Sequence, residues 1–133
     1  VAKRAQVKLL NDVDFIKATH DGYEGFAVSR IWRDSSNGEV TIIDQIEKYN
    51  SEKTALFKGR LHFHPDLSLC VRENRIINVG NELSIEFHFS LGENPKLAIG
   101  EYYYAHGYNK LRKAKTVTYF CHDQIKITIR ESN

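Results

Sequence analysis

The sequence predicts an all-β fold, an antiparallel β-sandwich of many short strands. Three observations carry that prediction. Apolar and polar residues alternate with period two, as in Leu83, Ile85, Phe87 and Phe89 against Ser84, Glu86 and His88. Each such segment has one wet face, whereas buried parallel strands read as continuous apolar runs. Turn-forming clusters recur about every 8–12 residues, the spacing of short strands in sandwiches and barrels.

Taken in chain order, the one helix candidate lies near Asp12 to Thr19. His20-Asp21-Gly22-Tyr23, followed by Gly25, reads as a turn with His20 or Tyr23 anchoring it. A catalytic Asp–His dyad would need the two side chains to converge, and adjacency does not supply that. Gly25 to Glu47 reads as a hairpin. Phe26, Val28, Arg30 and Trp32 share one face of its first strand; Val40, Ile42, Asp44 and Ile46 share one face of the second. With Asp34 paired to Val40 across the Ser35–Glu39 loop, Arg30 lands opposite Asp44. Both would sit among apolar neighbours, where a bidentate Arg–carboxylate pair is the usual remedy for buried charge. The expectation is a structural ion pair; a catalytic Asp44 would require a cleft beside it.

In Leu61-His62-Phe63-His64-Pro65-Asp66, Leu61 and Phe63 point one way and His62 and His64 the other, and Pro65 should end the ladder. Further alternating sets are Leu67, Leu69 and Val71, then Leu83 to Phe89, then Val117 with Tyr119, then Ile125, Ile127 and Ile129. Turns are expected at Ser35-Ser36-Asn37-Gly38, Glu73-Asn74, Gly80-Asn81, Gly92-Glu93-Asn94-Pro95 and His122-Asp123.

A length of 133 residues, with 41% apolar and 27% charged, fits a single domain over residues 1–133 with one core. The 19 basic and 17 acidic residues are interspersed, which argues against a nucleic-acid partner. The densest basic stretch, Lys110-Leu111-Arg112-Lys113-Ala114-Lys115, reads as a solvated loop. No run approaches the ~20 apolar residues of a membrane helix, and no signal peptide is visible. The chain opens at Val1 and contains no methionine, which reads as a processed or excised piece of a longer protein. Cys70 and Cys121 make no disulfide framework and read as small strand residues.

Candidate chemistry rests on two sets of side chains. His62 and His64 have the spacing that places two imidazoles on one strand face, with His88, Asp66 or Asp123 available as further metal ligands. No HExxH, CxxC pair or EF-hand loop accompanies them. Contact with solvent or sugar is the reading favoured for them over a metal site. The run Glu101-Tyr102-Tyr103-Tyr104-Ala105-His106-Gly107-Tyr108 offers flat apolar rings with polar tips, suited to core packing, to stacking on sugars or to an interface. Substrate-binding candidates are therefore His62, His64, Tyr103, Tyr104 and Arg112, with Arg60, Arg72 and Lys110 as further basic residues. Arg30 and Asp44 are assigned a structural role.

His20-Asp21-Gly22-Tyr23, the hairpin with Arg30 and Ile42-Ile43-Asp44, and Phe63-His64-Pro65-Asp66 together resemble the C-terminal part of the heparinase II/III-like polysaccharide lyases. Tyr102-Tyr103-Tyr104 and Gly107 resemble that family's aromatic-then-glycine segment, so the likeness spans about residues 18 to 130. The resemblance implies a β-sandwich module whose parent cleaves acidic, uronate-containing polysaccharide by β-elimination. It implies an N-terminal helical toroid as partner, zinc held elsewhere in the parent, and a periplasmic or extracellular location. No residue of this chain matches a catalytic position of the family, so the module itself is expected to be non-catalytic and to hold no cofactor. The alternatives are a self-contained metal-dependent enzyme using His62 and His64, and a structural or protein-interaction sandwich.

Overall fold

The computed structural model describes residues 6–35, 37–49, 56–73, 75–78, 83–89 and 97–131. Every regular element in them is a strand: β1 (Val7–Asn11), β2 (Phe15–Tyr23), β3 (Phe26–Asp34), β4 (Val40–Lys48), β5 (Phe57–His62), β6 (Leu69–Arg72), β7 (Arg75–Asn78), β8 (Leu83–Phe89), β9 (Ala98–Gly107), β10 (Lys110–Cys121) and β11 (Gln124–Glu131). One sheet has eight strands in the order β1-β2-β3-β4-β11-β8-β7-β6; the other has three, β5-β10-β9. All pairings are antiparallel, which is the sandwich that the alternation predicts.

Strand parity decides what lies between the sheets. Phe26, Ile42, Ile46, Ile76, Ile85, Phe87, Ile125 and Ile127 from the large sheet meet Val117, Tyr119 and Cys121 from the small one. Phe57, Leu61 and Phe63 close the core from the β5 side, while Leu69 and Val71 pack against it from β6. Phe87, Val117, Ile125 and Ile127 are wholly buried, each such side chain contributing about 1.5–3 kcal/mol by leaving water.

The β3–β4 hairpin has the expected register, with Asp34 on Val40 and Arg30 on Asp44. Its loop is closed by the Ser35 N–H donating to the Glu39 carbonyl at 3.0 Å, and Gly38 supplies the positive φ of 82°. The ladder of β5 ends where Pro65 requires. The Phe63 N–H still donates to the Lys115 carbonyl (3.0 Å), and the chain then turns, with the Leu67 N–H donating to the His64 carbonyl (3.1 Å).

Three local expectations are corrected. Asp12 to Thr19 forms no helix: β2 begins at Phe15 and pairs with strands on both sides. An eight-residue helix is too short to persist alone, and β1 and β3 offer cross-strand partners such as Trp32 for Ile16. The basic run Lys110 to Lys115 is the opening half of β10, the central strand of the small sheet. Its cations stand on the strand's two faces, where Arg112 and Lys115 find carboxylates. The region His20 to Tyr23 is an irregular strand end rather than a loop: pairing with β3 shifts between His20 and Tyr23, and the reversal falls at Gly25 (φ 82°). The turns expected at Gly80-Asn81 and Gly92-Glu93-Asn94-Pro95 lie outside the described residues, as do Ser36 and Asn74 of two others. Cys70 and Cys121 lie on strands β6 and β10, neither in a disulfide.

Candidate functional site

Two polar constellations stand out, one between the sheets and one on an outer face. Between them, Arg30 Nε donates to Asp44 Oδ1 (2.7 Å) and Nη2 to Oδ2 (2.9 Å). Tyr119 joins from the opposite sheet. Its hydroxyl donates to Asp44 Oδ2 (2.5 Å) and accepts from Arg30 Nη2 (2.9 Å). The ring can lie there because its cross-strand partner is Gly59, where a Cβ would collide with Cζ and Cε2 of Tyr119.

The hydrogen bond to Asp44 holds the Arg30 guanidinium even more firmly protonated than usual, outweighing its partial burial. Burial, followed by the charge of Asp44, pushes the Tyr119 hydroxyl well above the ordinary phenol range. The group borders a cavity of about 540 Å³ walled by His20, Tyr23, Trp32 and Phe57. A cleft beside Asp44 therefore exists, but both carboxylate oxygens are engaged and the phenol keeps its proton. The arrangement clasps the two sheets together.

The second constellation covers the outward face of the small sheet. His62 lies opposite Thr116, Tyr102 opposite Ala114, and Tyr104 opposite Arg112. Thr116 and Ala114 have short side chains, so larger neighbours reach across them. His62 meets Tyr102 edge-on (centroids 4.7 Å, 84°), and His64 meets Tyr104 (5.1 Å, 64°). The Tyr102 hydroxyl spans the sheet to donate to the Phe63 carbonyl at 2.7 Å. Ala114 is only 3% exposed although it faces away from the core, because these rings roof it.

The turn after Pro65 completes the group. Arg112 Nη2 donates to Asp66 Oδ1 at 2.8 Å, and that hydrogen bond holds the Asp66 carboxyl below its usual range. The Asp66 N–H donates to His64 Nδ1 at 3.2 Å. Four of the five substrate-binding candidates thus come together: His62, His64, Tyr104 and Arg112. Tyr103 does not join them. Its odd parity puts it on the other face of β9, where it is 66% exposed.

Sequence reasoning missed Tyr102 and Asp66 as members of this face and Tyr119 as the third member of the clasp. The parity shared by Tyr102 and Tyr104 was the available signal for the first. For the clasp the signal was a glycine, Gly59, inside a strand. Of the further metal ligands considered, His88 stands on β8 beside Glu86 (3.5 Å), on the outward side of the large sheet, and Asp123 is in the β10–β11 turn. Among the described residues no group of three or more His, Cys, Asp or Glu side chains is arranged to hold a metal ion.

Fold and outer face together define an antiparallel β-sandwich module with an aromatic, imidazole- and arginine-bearing surface. The family model for the heparinase II/III-like C-terminal domain matches residues 1–132. The chain belongs to that family. Its fold is similar to part of the heparan sulfate lyase HepC from Pedobacter heparinus, with a TM-score of 0.72 and 13% identity over 98% of this chain and 22% of that one. A heparinase III, the BT4657 gene product, is similar with a TM-score of 0.68 and 12% identity over 95% of this chain and 21% of that one. No curated protein matches the sequence. The chain spans about a fifth of the length of these two solved proteins.

Proposed function

We propose that this chain is the C-terminal β-module of a polysaccharide lyase acting on uronate-containing acidic polysaccharide. In that reaction a base removes the proton at C5 of the uronate, the C4–oxygen bond breaks, and an acid protonates the departing oxygen. The product carries a C4–C5 double bond conjugated with the carboxylate. The module supports the cleft of the parent protein and contacts glycan, and its own residues carry out none of these steps. A helical toroid domain as partner, zinc in the parent and a periplasmic or extracellular location belong to the same proposal.

The observation that carries the reading is the outward face of the small sheet. Tyr102 and Tyr104 lie across it as half-buried rings, which suits the apolar faces of sugar rings. His62, His64 and Arg112 stand beside them as hydrogen-bond donors for carboxylate or sulfate oxygens. The non-catalytic part of the reading draws on the clasp: Asp44 has no free oxygen and Tyr119 is held protonated, so neither is poised to take a C5 proton.

Titration of the chain with heparan-, alginate- and hyaluronan-type oligosaccharides, with absorbance of the unsaturated product followed in the same samples, tests both halves. Binding without product is the expected result. Product would refute the non-catalytic role, and absence of binding would refute glycan contact.

A further inference from the structure

The face just described continues along β5, and its continuation has a different character. Lys58 and Arg60 precede His62 and His64 at alternate positions, all four exposed and all on the outward side. Successive side chains on one strand face are ~6.7 Å apart, so this row extends ~20 Å. Among the described residues, the outward positions of β5, β9 and β10 carry no carboxylate. Asp66, in the turn beside them, is taken up by Arg112. Lys58 Nζ stands 5.6 Å from the centroid of the Phe120 ring, which keeps its charge over the sheet instead of trailing into solvent. Among the described residues, no ion pair or hydrogen bond engages the side chain of Lys58 or Arg60.

We infer that Lys58, Arg60, His62 and His64 form one strip that binds a linear anionic glycan across several sugar units, with a stacking end at Tyr102 and Tyr104 and an ionic end at Lys58 and Arg60. This rests on the glycan contact proposed above and adds a path, a polarity and a minimum ligand length. A short ligand fills only the tyrosine end. A long one also reaches the cations, and each cation that meets an anionic group releases counterions, which makes the added affinity salt-dependent.

Calorimetric titration with a heparan-type disaccharide and octasaccharide, for the full chain and for a Lys58→Gln/Arg60→Gln variant checked for an unchanged melt, reads this out. The wild-type chain should bind the octasaccharide about ten-fold or more tightly than the disaccharide. The double variant should lose that advantage, keep its disaccharide affinity, and show a salt slope smaller by about two. If the variant keeps the length advantage, the strip is refuted while the contact at the tyrosines stands. If the wild-type chain binds neither oligosaccharide, the glycan reading fails with it. A single-stranded oligonucleotide of equal charge binding as tightly as the octasaccharide would make the strip a general polyanion surface and overturn the assignment to glycan.

Discussion

Replacing Asp44 with alanine will strip Arg30 of its carboxylate and leave the Tyr119 hydroxyl without its acceptor. Removing one partner of a buried ion pair costs about 3–5 kcal/mol, and an orphaned buried hydroxyl about 1–3 kcal/mol. The first figure has to be discounted, because the Arg30 side chain is 32% exposed and water can partly resolvate it. The Asp44 side chain is only 13% exposed, so the carboxylate itself sits in the drier half of the pair. We expect a net loss of about 2–4 kcal/mol, a large share of the roughly 5–15 kcal/mol that holds a domain together. Urea unfolding followed by the fluorescence of Trp32, the single tryptophan and a wall of the same cavity, is the assay. With a slope of about 1–3 kcal/mol per molar urea, the midpoint should fall by on the order of 1–2 M. Arg30→Met alone should also destabilise, and the Arg30→Met/Asp44→Ala double variant should recover about 1–3 kcal/mol relative to the sum of the single losses. Strict additivity, or a loss below about 0.5 kcal/mol for Asp44→Ala, would show that the three groups do not act as a unit.

Gly59→Ala should cost about 1–3 kcal/mol by displacing the Tyr119 ring, which chemical denaturation would detect; a neutral result would mean that the ring does not need the gap. Because the folded-state Tyr119 phenol titrates well above the ordinary value of about 10, its contribution is complete below that pH and is lost as pH rises toward its folded value. Urea midpoints measured upward from pH 9 should therefore fall, and Tyr119→Phe should flatten that slope; an unchanged slope would separate the phenol from alkaline unfolding. Tyr104→Ala should weaken both disaccharide and octasaccharide binding by about 2- to 10-fold, the worth of one ring contact. Selective loss of the octasaccharide alone would place the stacking end elsewhere. Asn109, at φ 55° in the β9–β10 turn, should tolerate glycine, whereas Asn109→Val should lower the urea midpoint by the equivalent of about 1–2 kcal/mol; an unchanged midpoint would mean that the turn relaxes.

The hairpin register was legible because two local rules converge on it. Parity places Arg30 and Asp44 on the core side, and the five-residue loop from Ser35 to Glu39 sets them opposite each other. Tyr119 was not legible as their partner, since its place depends on how two sheets stack, and nothing local encodes that. The tyrosine run shows the same division. Alternation separates Tyr103 from Tyr102 and Tyr104, but it cannot say which parity faces outward, and at this end of β9 even the other face is open. The segment from Asp12 to Thr19 was misread because eight residues of mixed character fit either period, and pairing with β1 and β3 decided between them.

The clasp and the outer strip meet in strands β5 and β10, and this explains why one sheet can serve both ends. Inward-facing Gly59 and Tyr119 form a cross-strand pair, and the next rung places outward-facing Arg60 opposite Thr118. If Tyr119 is displaced, the shift is transmitted to the backbone that spaces Lys58, Arg60 and His62. A strip read by a repeating polymer depends on that spacing, more than on the identity of any single cation. The short inward residue at 59 therefore serves the outward face as well: it lets a tyrosine bolt β10 to β4 directly beneath the row of cations. On this argument Gly59→Ala should weaken octasaccharide binding by more than Lys58→Gln alone, although residue 59 touches no ligand. Comparable affinity for Gly59→Ala and wild type, in a protein that the substitution has measurably destabilised, would show that the two faces of the sheet are mechanically independent.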